Sequence, residues 1–346
     1  MGTIITQSYG QHANGKEVYL FTLSNQQGTE VKITNYGAII TAVKVKKSDG
    51  TYNDIVLGFD DPTQYWSEEY LRNYPYWGAA IGRYGNRISK AGFMIDGIEY
   101  KVNSHHPDYQ LHGGFEGFDK KVWSVISTEN ERLVLQYISA DGEEGFPGEL
   151  TLNIVFELND DNELSYEYIA KTDKATAVNL THHSYFNLNN CEGNILNQHL
   201  KIHANKYLEQ NENLCCSGKE LDVKGTRNDF AAYKTTGEIE NALEYGIDIS
   251  FPLDKIGIEN IAAEAYCDEQ DIKLEVYTTE PLVHLYNAKW LSEIVGKDGK
   301  KYGGFSGFCF ETQVHPNAIN VPSFPNTVLR PGETYRTKTI YKLTTK

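Results

Sequence analysis

Hydrophobic and polar residues alternate along much of this chain, and a two-residue period is typical of β-strands. In the clearest run, residues 150–158 are apolar at every second position, turn-forming Asn and Asp follow at 159–162, and the alternation resumes over 164–170. These two runs predict a β-hairpin with one buried face. Shorter runs with the same period are found at residues 31–33, 43–45 and 272–276.

Helical signals are short, and they are confined to residues 62–70 and 237–245. The chain shows no alternating strand–helix rhythm, no glycine-rich phosphate loop, no internal repeat and no linker. Many short strands without crossover helices favour packed antiparallel sheets. The sequence therefore predicts an all-β fold, in which residues 1–346 form one large antiparallel β-sandwich with only short helices.

Composition and charge narrow the choice of partners. Of the 346 residues, 40% are hydrophobic and 23% charged, which allows a large core. The net charge of −15 argues against nucleic acid and against an anionic membrane as partners. No apolar run approaches the length of a membrane span. Neutral ligands remain open, as do phosphorylated ligands that meet a local basic pocket.

The cysteines do not indicate a disulfide framework, because their number is odd and no C-x-x-C spacing occurs. They are Cys191, Cys215, Cys216, Cys267 and Cys309. The first residues lack the basic region and the apolar segment of a signal peptide. These features predict a cytoplasmic protein.

Residues 181–188 combine two histidines, a serine, two aromatic rings and an asparagine directly after a strand-like run. Successive side chains of a strand point to opposite faces, so His183, Tyr185 and Asn187 would share one face. Aromatic rings next to hydrogen-bonding groups suit a polyhydroxylated ligand. The alternative, an ordinary strand end with partly exposed histidines, carries equal weight on this segment alone.

Two arginines lie near glycines in residues 82–88, in a chain with few positive charges. Arg83 or Arg87 could present a rigid set of donors to ligand oxygens. The alternative is that both pair with surface carboxylates.

His112 precedes two glycines, which would let a ligand approach the backbone. His105 and His106 lie upstream, but no set of His, Cys and carboxylate positions here has a recognised zinc spacing. A metal site is therefore the weaker interpretation, and no metal ligand is assigned.

Two carboxylates follow or interrupt apolar, strand-like runs. Asp248 is the single acid within residues 246–251, so it needs a partner or a polar cavity. Glu311 follows a strongly apolar run, where a carboxylate loses hydration and becomes a stronger base. A buried ion pair with an arginine is the alternative for Glu311.

A carboxylate and an imidazole on opposite sides of a sugar-sized pocket can move protons without a metal or a cofactor. Interconversion of the anomers of a free aldose needs only such an acid–base pair. A base removes the proton of the C1 hydroxyl, and an acid protonates the ring oxygen. The ring opens, the C1–C2 bond rotates, and reclosure on the other face gives the other anomer.

The chain resembles the aldose 1-epimerase, or galactose mutarotase, family over nearly its whole length, from residues 34–38 to residues 330–333. Six motifs stand in the order of that family: GRYGNRI at 82–88, LHGG at 111–114, GEEGFPG at 142–148, THHSYFNL at 181–188, GID at 246–248 and ETQ at 311–313.

The resemblance implies an antiparallel β-sandwich with an open sugar cleft and no cofactor. It implies that Glu311 is the base that takes the C1 hydroxyl proton and that His183 is the acid that protonates the ring oxygen. His112 then supports charge at the ring oxygen and contacts hydroxyls.

The remaining site residues are also implied by the resemblance. Arg87, rather than Arg83, binds hydroxyls with Asn86 beside it, Asp248 holds hydroxyls on the far side of the sugar, and Tyr185 shapes the cleft. The partner is a small sugar, such as galactose or glucose, and a homodimer is the alternative to a monomer.

The sequence departs from the family pattern at two positions. His182 replaces the usual Asn before the catalytic histidine, and on the strand pattern it faces away from the sugar. His284 stands where many members carry a sugar-contacting Gln, which bears on substrate preference. A hexose-6-phosphate epimerase, a non-catalytic carbohydrate-binding protein and a metal-dependent sugar isomerase are the alternative functions.

Overall fold

The computed structural model describes residues 2–47, 49–72, 74–129, 131–239 and 241–345. Strands dominate the described residues. In chain order they are β1 (Thr3–Gln11), β2 (Glu17–Ser24), β3 (Glu30–Thr34), β4 (Ile39–Lys46), β5 (Tyr52–Asp54), β6 (Ala80–Ile81), β7 (Arg87–Ser89), β8 (Gly92–Ile95), β9 (Ile98–Lys101), β10 (Tyr109–Leu111), β11 (Ser124–Ser127), β12 (Arg132–Ser139), β13 (Leu150–Leu158), β14 (Glu163–Thr172), β15 (Thr176–Ala177), β16 (Thr181–His182), β17 (His199–Ile202), β18 (Lys206–Gln210), β19 (Cys216–Asp222), β20 (Lys234–Thr235), β21 (Asp248–Pro252), β22 (Gly257–Cys267), β23 (Ile272–Thr278), β24 (Leu282–Tyr286), β25 (Ile294–Val295), β26 (Lys301–Tyr302), β27 (Cys309–Gln313), β28 (Val328–Leu329) and β29 (Tyr335–Thr345).

Three antiparallel sheets build the body of the protein. The largest has nine strands in the order β11-β12-β13-β14-β29-β23-β22-β17-β20, a second has the order β1-β2-β3-β4-β5, and a third has the order β21-β24-β27. All three contribute buried side chains to one main hydrophobic core. The hairpin predicted from alternation is confirmed, since Leu150 pairs with Thr172 and Leu158 with Leu164. The predicted all-β sandwich is confirmed with it.

Helices are short, as predicted. The first helical signal gives a 3-10 helix at Pro62–Trp66, capped by the Asp61 side chain, and then α1 at Glu68–Arg72. The second prediction, over residues 237–245, is wrong: a 3-10 helix covers only Thr236–Glu238, residues 241–244 form a turn, and residue 240 lies outside the described residues. Within the described ranges, no helix has the length and apolar character needed to cross a membrane. The other 3-10 helices are Phe118–Lys120, Glu143–Gly145, Lys297–Gly299 and Ala318–Asn320.

The three-stranded sheet of β21, β24 and β27 has polar side chains on one face. His284 pairs with Ser250 on one side and with Glu311 on the other. Because side chains alternate along a strand, the intervening residues, such as Phe251 and Leu285, belong to the main hydrophobic core. The opposite face of the sheet, which points away from the main core, carries Asp248, Ser250, His284, Tyr286, Cys309 and Glu311.

A buried acid just before β24 makes stability depend on pH. Glu280 is 3% exposed and accepts a hydrogen bond from the Tyr335 hydroxyl. Burial raises the pKa of its carboxyl group from 4.5 to about 7. The folded protein therefore keeps this proton over a pH range in which the unfolded chain has lost it. The stability that this group contributes is fully present below the unfolded pKa and is lost as the pH rises through the folded pKa.

We expect Glu280→Gln to stabilise the protein at about pH 8.5, because an amide has no charge to desolvate. The gain in the free energy of unfolding should approach about 3 kcal/mol there and vanish near about pH 4.5. Denaturant unfolding at both pH values measures it, and an equal effect at the two values would contradict the assignment.

Candidate active site

A cavity of about 340 Å³ opens over the polar face of the β21-β24-β27 sheet. This volume falls within the range of small-molecule sites. Its wall contains every residue that the sequence analysis assigned to the sugar: Asn86, Arg87, His112, His183, Tyr185, Asp248 and Glu311. Residues from distant parts of the chain therefore converge on one cleft.

Glu311 and His183 face each other in the interior of this cleft. Glu311 Oε1 lies 3.5 Å from His183 Nε2, and the two residues are 2% and 4% exposed. The other carboxylate oxygen, Glu311 Oε2, is buried and has no hydrogen-bond partner among the described residues. A buried acceptor without a partner is costly unless a ligand supplies a donor. Glu311 thus offers an oxygen for an incoming hydroxyl.

The imidazole of His183 is held on several sides. Tyr185 stacks on it with a centroid distance of 5.0 Å, and Tyr76 stacks at 5.8 Å. Cys309 Sγ lies 3.4 Å from Nδ1, so Nε2 is the nitrogen that faces Glu311. Burial lowers the pKa of His183, and the charge of Glu311 offsets only part of this effect.

His112 is fixed as a donor toward the cleft. Its Nδ1 accepts a hydrogen bond from the Asn86 backbone N–H at 3.3 Å. Burial, together with the charges of His183 and Arg87, holds the pKa of His112 well below its usual range. The ring is therefore neutral, and its proton lies on Nε2.

Gly113, the glycine after His112, is needed for backbone packing and not for access of a ligand. A Cβ added at Gly113 would lie 1.9 Å from the carbonyl oxygen of Gly82. The small residue lets two backbone segments meet. The expectation that it admits a ligand to the backbone is wrong for this position.

Ligand atoms of His112, His183 and Glu311 lie within 4.8 Å of one another, which is close enough for three ligands of one metal ion. To bind a metal, His112 Nε2 would have to lose its proton, and the hydrogen bond to Nδ1 from the Asn86 N–H would be lost. His112 Nε2 is therefore better suited to donate a hydrogen bond to a ligand oxygen than to bind a metal ion. His105 and His106 lie outside the cleft, packed on Phe115 and Tyr109 respectively.

Asp248 and Arg87 form a second charged group in the cleft. Arg87 Nη2 lies 3.4 Å from Asp248 Oδ2, and His284 Nε2 lies 2.8 Å from Asp248 Oδ1. Burial alone would raise the pKa of Asp248, but His284 and Arg87 hold it well below its usual range. Asp248 is therefore ionised and able to accept hydrogen bonds. Arg87 Nε is buried and has no partner among the described residues.

The second candidate arginine has a structural role. Arg83 is 2% exposed and donates to the carbonyl oxygens of Pro147 and Gly148 at 2.9 and 2.8 Å and to Ser139 Oγ at 2.5 Å. These bonds fasten the turn at residues 141–148 to the sandwich. The cleft contains Arg87 and not Arg83, and the alternative of surface ion pairs is wrong for both.

Residues 181–188 follow the expected alternation only in part. The side chain of His182 points away from the cleft and meets Ala38 O at 3.3 Å and Ser184 Oγ at 3.2 Å, as predicted. The regular strand β16 ends at His182. A continuous strand would turn Asn187 toward the cleft together with His183 and Tyr185. Asn187 does not line the cleft, however, and instead donates a hydrogen bond to Ser306 O at 2.9 Å. That prediction is wrong because the backbone leaves the strand conformation too early.

Apart from Tyr185, sequence reasoning missed the aromatic part of the wall. Tyr76, Tyr286 and Trp290 line the cavity, and Trp290, although 58% exposed, stacks on Tyr286 with a centroid distance of 6.1 Å. Tyr76 has a positive φ of 61° and follows no strand period. The aromatic cluster at residues 74–77 was the available signal.

Comparisons with known proteins agree with one another. The family model described as aldose 1-epimerase matches residues 19–342. The galactose mutarotase of Homo sapiens is 40% identical over 315 residues, which cover 90% of each chain. The aldose 1-epimerase of Escherichia coli (strain K12) is 32% identical over 337 residues, 95% of this chain and 96% of its own. The crystal structure of galactose 1-epimerase from Lactobacillus acidophilus NCFM has a TM-score of 0.85, with 27% identity and 99% coverage of both chains.

Proposed function

The chain belongs to the aldose 1-epimerase family and is an isomerase that interconverts anomers; we propose that Glu311 is the base of this reaction and His183 the acid. The observation that carries the proposal is the buried pair itself. One carboxylate oxygen faces His183 Nε2 at 3.5 Å, and the other is left without a partner for a substrate hydroxyl.

The reaction conserves protons within this pair. Glu311 takes the proton of the C1 hydroxyl while protonated His183 gives its Nε2 proton to the ring oxygen. The bond between C1 and the ring oxygen breaks, and an open-chain aldehyde forms. After rotation about C1–C2, the ring hydroxyl attacks the other face of C1, the His183 ring takes back its proton, and Glu311 returns its proton to the C1 oxygen. Burial lowers the pKa of His183, but the negative charge of Glu311 at 3.5 Å favours the protonated ring that this step requires.

The other residues hold the sugar in place. The N–H of His112 points into the cleft and can support negative charge that develops on the ring oxygen. Asp248 accepts hydrogen bonds from hydroxyls remote from C1, and Arg87 donates to their oxygens. Asn86 Oδ1 accepts the Arg87 backbone N–H at 2.9 Å and so fixes the start of β7. Tyr185 forms an apolar wall.

A neutral aldose is the substrate class that these groups favour, with galactose first because relatives carry that name and glucose as a second candidate. A hexose 6-phosphate would need a cationic clamp. Arg83 is committed to backbone carbonyls, and Arg87, the one Lys or Arg among the residues lining the described cleft, already faces Asp248.

Polarimetry of freshly dissolved α-D-galactose, in buffer with a chelator, tests the proposed substrate. We expect the rotation to reach the same final value faster with protein than without it. Acceleration that occurs without the chelator and is lost when the chelator is present would favour a metal-dependent route through His112, His183 and Glu311. If the protein does not accelerate the reaction of galactose, hexose 6-phosphates and glucose are tested next. Acceleration with hexose 6-phosphates but not with glucose would contradict the assignment of a neutral sugar as substrate.

Location and assembly remain predictions. All five cysteines are free and buried, which supports the proposed cytoplasmic location because reduced thiols are usual there. A homodimer is the proposed alternative to a monomer, and light scattering of the purified protein distinguishes the two masses.

A further inference from the structure

His284 is a buried, titratable residue of the cleft that the proton transfers above do not use. It lies on β24 between Ser250 on β21 and Glu311 on β27, and its side chain is 3% exposed. The ring thus lies on the floor of the site, beside the proposed base and against Asp248.

Both ring nitrogens of His284 are engaged by protein groups. Nε2 lies 2.8 Å from Asp248 Oδ1, and Nδ1 lies 2.8 Å from Ser250 Oγ. The ring therefore has no polar atom left for a sugar hydroxyl. What it can do is fix the carboxylate of Asp248, whose second oxygen faces Arg87 at 3.4 Å.

This support does not depend on the charge of the ring. A serine hydroxyl can donate or accept a hydrogen bond. When His284 carries two ring protons, both nitrogens donate. When it carries one, Nε2 still donates to Asp248 while Nδ1 accepts from Ser250. Asp248 consequently keeps one orientation in either protonation state.

We propose that His284 is a positioning residue: the chain Ser250–His284–Asp248 aims the Asp248 carboxylate at one sugar hydroxyl remote from C1 and so decides which aldoses bind well. This inference rests on the proposed function, because it takes Asp248 as a sugar-binding residue. A charged carboxylate held in one orientation in the cleft discriminates against a sugar that lacks the matching hydroxyl, since that sugar forgoes a hydrogen bond to a charged group.

The test compares KM and kcat of the wild type, His284→Leu and His284→Gln by polarimetry, with galactose and its 2-, 3-, 4- and 6-deoxy derivatives. We expect His284→Leu to raise KM for galactose about 10- to 100-fold, as for loss of a hydrogen bond to a charged group, with kcat changed less than about threefold. His284→Gln should restore most of KM, because its amide can donate to Asp248 and accept from Ser250. The ratio of the KM values for His284→Leu and wild type should fall toward one for one deoxy sugar.

A matched control is His203→Leu. His203 Nε2 also lies 2.8 Å from a carboxylate oxygen, that of Glu264, but outside the cleft, so KM should not change. If His284→Leu does not fold, Ser250→Ala should raise KM with the same deoxy-sugar pattern. Unchanged KM in the folded variant, or an equal KM ratio for galactose and all four deoxy sugars, would overturn the inference. Failure of the proposed function looks different: the wild type would then accelerate mutarotation of no aldose.

Discussion

Glu311→Gln is expected to lower kcat about 10²–10⁴-fold while KM for galactose changes little. The amide keeps the size of the side chain and can still hydrogen-bond to the C1 hydroxyl, but it cannot take the proton. Ring opening then relies on water as the base. The unpartnered Oε2 of Glu311 is the atom whose loss matters, since it is the buried acceptor in the cleft that no described protein group satisfies.

Glu280→Gln is the matched control for this variant, because it also converts a buried glutamate into an amide. Glu280 faces the hydroxyl of Tyr335 and does not line the cleft. We expect wild-type kcat for Glu280→Gln. Initial rates of mutarotation, with circular dichroism to establish folding, make the comparison. A Glu311→Gln protein that is folded and turns over galactose at the wild-type rate would refute the role of the base.

Much of the fold could be predicted because its strongest signals are local. The hairpin of β13 and β14 follows from alternation and a short turn, both of which are contained in about twenty consecutive residues. The three-stranded sheet is different. It joins β21, β24 and β27, which are separated along the chain, and no local pattern states that His284 pairs with Glu311.

The site shows the same division between local and tertiary information. The residues in ordered motifs, such as Glu311 and His183, could be named from sequence. The local pattern did not distinguish Arg83 from Arg87, because the carbonyl that Arg83 binds belongs to Pro147, which lies 64 residues further along. Trp290 was missed because its stacking on Tyr286 depends on how an irregular segment folds back over the cleft.

His183→Asn is expected to lower kcat about 10²–10⁴-fold as well, since the amide cannot deliver a proton to the ring oxygen. Asn is smaller than His and leaves space beside Tyr185 and Cys309. Added imidazole should therefore restore part of the rate, and this rescue separates loss of the acid from loss of structure.

The neighbouring histidine supplies the control. His182 is also buried, but its ring faces Ala38 and Ser184, and burial lowers its pKa to about 3. His182→Asn should lose stability, because two buried hydrogen bonds are disturbed, yet keep its kcat per folded molecule and gain nothing from imidazole. If imidazole rescued both variants, or neither variant lost turnover, His183 would not be the acid. Loss and rescue confined to His183→Asn would leave its Nε2, opposite Glu311, as the source of the proton.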